Sequence, residues 1–191
     1  MTHNMARWIL KYIIWLLFIA MISVSAPASD IYASEPLNME PKLKAAFIYN
    51  FAKFVDWPVT QRADISYQPF VIGIFGHSPI VKELLAIEGK PIKGRKLEVR
   101  LLSNIKEIND CNVVFISASE ENNLMPILSA AKSKEILTVS DMSGFVEKGG
   151  IIGFVRLENK LRFDINLKTA EDSSLKIRSD LLTLARKIKK E

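Results

Sequence analysis

Apolar positions along this chain fall into short runs that change period several times. Phe47, Phe51, Phe54 and Val55 recur at helical spacing, which predicts a helix from about Pro41 to Val55 with one broad apolar stripe. Pro58 ends it, because a residue before proline is pushed out of the α region. Residues 58–69 are polar, carry Pro58 and Pro69, and read as a loop. Phe70-Val-Ile-Gly-Ile-Phe75 reads as a buried strand. Ser78 is placed to cap a helix whose first residue is Pro79, and Ile80 to Ile87 continues it until Gly89.

Residues 96–102 alternate like a strand, with Leu97, Val99 and Leu101 on one face. A short connector of one or two helical turns spans 103–109. Residues 112–117 form a second buried strand. Ser117-Ala-Ser-Glu120 resembles a capping box and opens a helix to about Lys132. Residues 135–139 are a strand, and 140–144 open a brief helix that ends at Gly149-Gly150. Residues 151–157 and 161–166 are two strands joined as a hairpin by Glu158-Asn159-Lys160. The last segment, about 175–189, predicts an amphipathic helix with Leu181, Leu182, Leu184, Ala185 and Ile188 as its apolar set.

Strands alternating with helices predict an α/β domain: one compact unit, a mostly parallel six-stranded sheet with a C-terminal antiparallel hairpin, and helices on both faces. The first and last helices are expected to pack together or on one sheet face.

The amino end changes the compartment. Arg7 and Lys11 precede an apolar run from Tyr12 to Val24, and Ala26-Pro27-Ala28 fits a small-x-small cleavage pattern, so residues 1–28 read as a cleavable export signal. Ala33 offers a second cut. The competing reading, an uncleaved anchor, needs about 20 apolar residues and the run is shorter. No cysteine lies nearby to carry a lipid. Residues 29–40 read as a flexible lead and 41–191 as the domain. The expected address is a bacterial periplasm.

Composition then narrows the chemistry. The formal net charge of +5 loses two positive charges with the leader, and a mildly basic, mixed surface gives no case for nucleic acid. Cys111 is the single cysteine; it reads as a small buried apolar residue, with an intermolecular disulfide as the alternative. His77 is the one histidine beyond the leader, so a His/Cys zinc site is not available. A serine triad would have to use His77 beside Ser78, which is better explained as a cap. Gly73 and Gly76 do not make a dinucleotide fingerprint, and Gly89-Lys-Pro-Ile-Lys-Gly-Arg95 lacks the Walker ending, so it reads as a solvated loop. No catalytic residue, metal or cofactor is expected.

Several blocks resemble, in order, the YfiR-like family of exported bacterial regulators. They are Ala45-Ala-Phe-Ile-Tyr-Asn-Phe-Ala-Lys-Phe-Val-Asp-Trp-Pro58, residues 70–75, residues 89–95, Cys111-Asn-Val-Val-Phe-Ile-Ser117, residues 136–141, Gly144-Phe145, residues 149–152, Arg162-Phe-Asp-Ile-Asn166 and residues 177–186. The resemblance implies a compact α/β domain able to form a homodimer. It also implies a periplasmic repressor that binds the periplasmic domain of an inner-membrane diguanylate cyclase (YfiN-like), or another membrane sensor, and lowers cyclic di-GMP. The repressor type carries several cysteines; Cys111 alone cannot form an internal disulfide.

Candidate partner contacts are Tyr49, Lys53 and Phe54 on the first helix and Trp57 just after it, with Leu181 and Leu182 on the last, because aromatic anchors dominate interfaces. Phe47 and Phe51 read as core. The alternative function is a small-molecule-binding module feeding a sensor kinase or receptor, with Asn50, Asn166 and Arg178 as ligand contacts. An exported hydrolase using Ser78 and His77 is the third and weakest reading.

Overall fold

Helix α1 (Pro36–Phe54) starts at Pro36 rather than Pro41 and carries Pro41 inside it. The computed structural model describes residues 36–58, 68–132 and 134–191. The export signal, residues 29–35 of the expected lead and most of the loop over 59–67 lie outside the described residues. The stripe of α1 buries Ala45, Ile48, Phe51, Ala52 and the following Val55. Phe51 and Phe47 pack on Phe154 and Phe163, the Phe51–Phe163 rings meeting edge-on at 4.8 Å. A buried phenylalanine in such a contact is worth about 3–5 kcal/mol against alanine.

The strands are β1 (Val55–Asp56), β2 (Phe70–Phe75), β3 (Pro91–Ile92), β4 (Arg95–Leu102), β5 (Val113–Ile116), β6 (Leu137–Ser140), β7 (Ile152–Leu157), β8 (Lys160–Asn166), β9 (Lys176–Ile177) and β10 (Lys187–Lys189). Eight of them form one sheet in the order β10-β8-β7-β6-β5-β2-β4-β3. β4, β2, β5, β6 and β7 are mutually parallel. β7 and β8 form an antiparallel hairpin as expected, but it is not the C-terminal edge, because β10 joins β8 in parallel outside it, and Lys160, expected in the turn, begins β8. The expected six strands are all there; β3 and β10 are the additions. The β7–β8 turn is two residues, Glu158 and Asn159, both at positive φ (48° and 59°), which matches the twist of a tight hairpin.

Both sheet faces are covered. On one lie α1, α2 (Ile80–Leu85) and the buried Ala170, Leu175 and Leu181 of the C-terminal region; on the other lie α3 (Leu124–Ala131), Ile108 and Phe145. β5 (Val-Val-Phe-Ile) is buried throughout, as a strand sandwiched between helix layers must be.

The C-terminal helix expected over 175–189 is not there. Instead the chain makes β9, one helical turn α5 (Ser179–Leu182) and the edge strand β10, and a short helix α4 (Leu167–Asp172), not read from the pattern, precedes them. The physical reason is tertiary. Arg186 donates its backbone N–H to the Phe163 carbonyl at 2.9 Å and its guanidinium clasps buried Asp164, which lays residues 187–189 along β8. A short helix is marginal by itself, so the ladder wins and Leu184 is left 63 % exposed. The first and last segments do meet, through β1 pairing antiparallel with β9.

Candidate functional site

Three aromatic side chains cluster around the carboxyl end of α1, and each has a cation on its ring. Lys53 Nζ lies 4.1 Å from the centroid of Tyr49. The Arg178 guanidinium lies 5.5 Å from Phe54. Lys93 Nζ lies 5.9 Å from Trp57. Helical spacing explains the first pair, since residues four apart share a face. The β1–β9 pairing explains the second, because Arg178 follows β9 and donates its N–H to the Phe54 carbonyl at 3.0 Å. The third comes from the β3–β4 turn, where Lys93 and Gly94 both take positive φ.

All three rings are half-buried and held from behind. Tyr49 donates its hydroxyl to the Pro91 carbonyl at 2.9 Å. Trp57 donates Nε1–H to the Glu135 carbonyl at 2.8 Å and meets Phe70 edge-on at 5.3 Å. The cations are exposed, and each exposed stack is worth about 0.5–1 kcal/mol. Lys93 also pairs with Asp56 at 3.0 Å and Arg178 with Asp180 at 3.0 Å. The surface is thus aromatic, with exposed cations over half-buried rings, two of those cations also paired with the chain's own carboxylates. It suits a protein partner presenting carboxylates, because Arg and aromatic groups together dominate interface energy.

Behind Trp57 a cleft of ≈ 610 Å³ is lined by Arg95, Arg100, Cys111 and Glu135, among others. Its guanidinium groups are committed to their own chain. Arg95 donates to the Gln68 and Pro69 carbonyls at 2.9 and 2.5 Å, and burial pushes its pKa below the usual guanidinium value. Arg100 is held by Glu98 at 2.5 Å, which raises its pKa. The expected solvated loop at 89–95 is therefore a structural clamp at its Arg95 end.

Residues 41–186 match the sequence profile of the YfiR/HmsC-like family. The chain belongs to that family. No curated protein matches the chain. YfiR/HmsC-like membership supports a regulatory role in cyclic di-GMP signalling, rather than an enzymatic one, in proteins that work in the periplasm with membrane partners. Among the described residues, no helix is long and apolar enough to cross a membrane.

Within this YfiR/HmsC-like domain the sequence-predicted residues separate into groups. Tyr49, Lys53, Phe54, Trp57 and Arg178 lie around the end of α1 as ring–cation pairs, while Leu182 is half-buried against the core. Leu181 is only 2 % exposed and offers no surface. Phe51 is core as expected, and Phe47 is half-buried against it. Asn50 is exposed on α1.

Asn166 is elsewhere and buried: its Oδ1 accepts from Thr169 N–H at 3.0 Å, capping α4, and its Nδ2 donates to the Val146 carbonyl at 2.9 Å. Asn50, Asn166 and Arg178 thus do not converge on one ligand. Ser78 does not cap α2 as expected: the helix starts at Ile80 with Pro79 at its N-cap and no side-chain cap bond, and Ser78 Oγ only accepts a long 3.4 Å contact from Ile80 N–H. Lys93 was missed as a member of the face; the signal was a lysine in a Lys-Gly turn, visible only once β3 is paired.

Proposed function

We propose that this YfiR/HmsC-like protein binds the periplasmic domain of an inner-membrane diguanylate cyclase and holds its output down. The observation that carries the reading is the set of three ring–cation pairs at the carboxyl end of α1. Such a surface docks on acidic and apolar groups together: carboxylates draw off Lys53, Lys93 and Arg178 while the rings they cover supply the contact area. Trp57 is the expected anchor. Self-association into a homodimer belongs to the same proposal and is read by light scattering on the purified protein.

The test is made in the native host. Deleting the gene should raise cellular cyclic di-GMP, and the wild-type gene should reverse the rise. A Lys53→Glu/Arg178→Glu double variant, exported to the same level, should fail to reverse it. Unchanged cyclic di-GMP on deletion would overturn the repressor reading. Full rescue by the double variant would remove this face from the interface.

A further inference from the structure

The parallel part of the sheet runs β4-β2-β5-β6-β7. The chain goes from β2 out to β4 on one side and returns to β5 on the other. In open parallel sheets ligands bind outside the carboxyl ends of the strands, beside such a reversal. A cleft of ≈ 780 Å³ lies there, lined by Ile74, His77, Leu101, Ile105, Glu120 and Asn123 among others. That volume falls in the range of roughly 300–1,000 Å³ usual for small-molecule sites.

The walls are built rather than loose. Ser117 Oγ donates to the His77 carbonyl at 2.7 Å, and His77 N–H donates to Ser119 Oγ at 3.0 Å. Gly76, at φ +81°, lets the two loops close: a Cβ there would sit 2.3 Å from Ser119 Oγ. Asn123 Nδ2 donates to Glu120 Oε2 at 2.8 Å and orients the carboxylate. The cleft also explains an anomaly of β4. Leu101 shares a face with buried Leu97 and Val99, yet it is 61 % exposed, and Ile105 just beyond is 36 % exposed.

The lining fixes the class of ligand. Glu120 is its one carboxylate, and among the described residues no lysine or arginine lines it. An anionic head, phosphate included, would meet the repelling Glu120 carboxylate and no basic side chain other than the His77 imidazole. We propose that this cleft binds a small amphipathic amine, its apolar body over Leu101 and Ile105 and its ammonium on the Glu120 carboxylate. This site is separate from the α1 face, and binding to it stands or falls independently of the cyclase reading.

The test uses purified exported protein with methyl-labelled leucine and isoleucine, titrated with phenethylamine and followed by NMR. The Leu101 and Ile105 methyls should shift and saturate. Glu120→Gln should weaken binding about tenfold, the scale of a lost hydrogen bond to a charged group. The equal-sized 2-phenylethanol, and phenylacetate as the carboxylate nearest in size, should bind at least as weakly as the amine does to that variant. Leu101→Lys, at a second exposed position, should also repel the amine. Both variants are checked for fold by their unperturbed spectra. No shift at those methyls with millimolar amine, shifts confined to another part of the protein, or equal binding by Glu120→Gln would each overturn the assignment.

Discussion

Replacing Arg186 by methionine removes a charge from the edge strand while keeping much of the apolar stem. Its partner Asp164 has a side chain only 4 % exposed, whereas that of Arg186 is 37 % exposed. The pair is bidentate: Nε reaches Oδ1 at 2.8 Å and the second nitrogen reaches Oδ2. Breaking a buried pair from one side costs about 3–5 kcal/mol, because a charge is left unpaired. Here the guanidinium side faces water, which can hydrate one carboxylate edge once the arginine is gone. The expected loss is therefore lower, about 2–3 kcal/mol. Asp164→Asn leaves an arginine that solvent can hydrate and should cost about 1 kcal/mol.

The double variant should then cost less than the sum, with a coupling of about 1–2 kcal/mol. Urea unfolding reads all three. At a slope of about 2–3 kcal/mol/M, Arg186→Met should lower the midpoint by about 1 M. The effect should fall only in part with added salt, since Asp164 is buried while Arg186 faces water. A loss under about 0.5 kcal/mol for Arg186→Met, or strict additivity of the two changes, would refute the claim that this pair holds β10 on the sheet.

Three further outcomes are expected. Cys111 is 5 % exposed and burial pushes its thiol up to about 11, so iodoacetamide at pH 8 should label the native protein slowly and the urea-unfolded protein fast; equal rates would contradict the burial. Gly73→Ala places a Cβ 2.6 Å from Leu102 Cδ1 and 2.7 Å from Cys111 Sγ, an overpacking of about 1–3 kcal/mol that Cys111→Ala should partly relieve in the double variant, as thermal melting would show. Lys44 bonds to Glu40 at 2.9 Å and Asp141 at 2.8 Å. The Lys44 bond holds the Glu40 pKa below the carboxylate range against opposing burial, with help from Arg156. Burial works against the Lys44 ammonium, but its bonds to Asp141 and Glu40 outweigh that and raise its pKa. Glu40 thus adds stability above its unfolded pKa that is lost as pH falls through the depressed folded value. Lys44 adds stability below its unfolded pKa that is lost as pH rises through the raised one. Glu40→Gln should cost about 0.5–1 kcal/mol near neutral pH and nothing in acid, and a penalty that persists in acid would refute the assignment.

The fold was legible wherever one period governed a whole segment. β2 and β5 are continuous apolar runs, and a buried strand has few alternatives. The β7–β8 hairpin was legible from its turn residues. The C-terminal segment was not, because its leucines fit a helix while a single distant contact, Arg186 with Asp164, decides the outcome. No local pattern records a partner 22 residues away. The strand β3 was hidden for a related reason: two residues, Pro91 and Ile92, carry no period, and only their pairing with β4 makes them a strand.

The candidate site shows a different limit. Periodicity placed Phe47, Tyr49, Phe51 and Phe54 on one helix without saying which edge of the stripe meets water. The structure resolves this by what stands behind each ring. Phe51 has phenylalanines on its other side and is spent on the core. Tyr49, Phe54 and Trp57 sit at the rim, with cations supplied by α1 itself, by the chain after β9 and by the β3–β4 turn. A rim ring serves both stability and recognition, so alanine at Trp57 would confound the two: it removes the contact with Phe70 and the bond to Glu135 along with the exposed edge. The cations separate them. Lys53 and Arg178 are exposed and bear little of the fold, so reversing their charge changes what a partner meets while leaving the rings in place. A loss of regulation in Lys53→Glu/Arg178→Glu, at unchanged melting temperature, would therefore be a statement about the interface and not about the core.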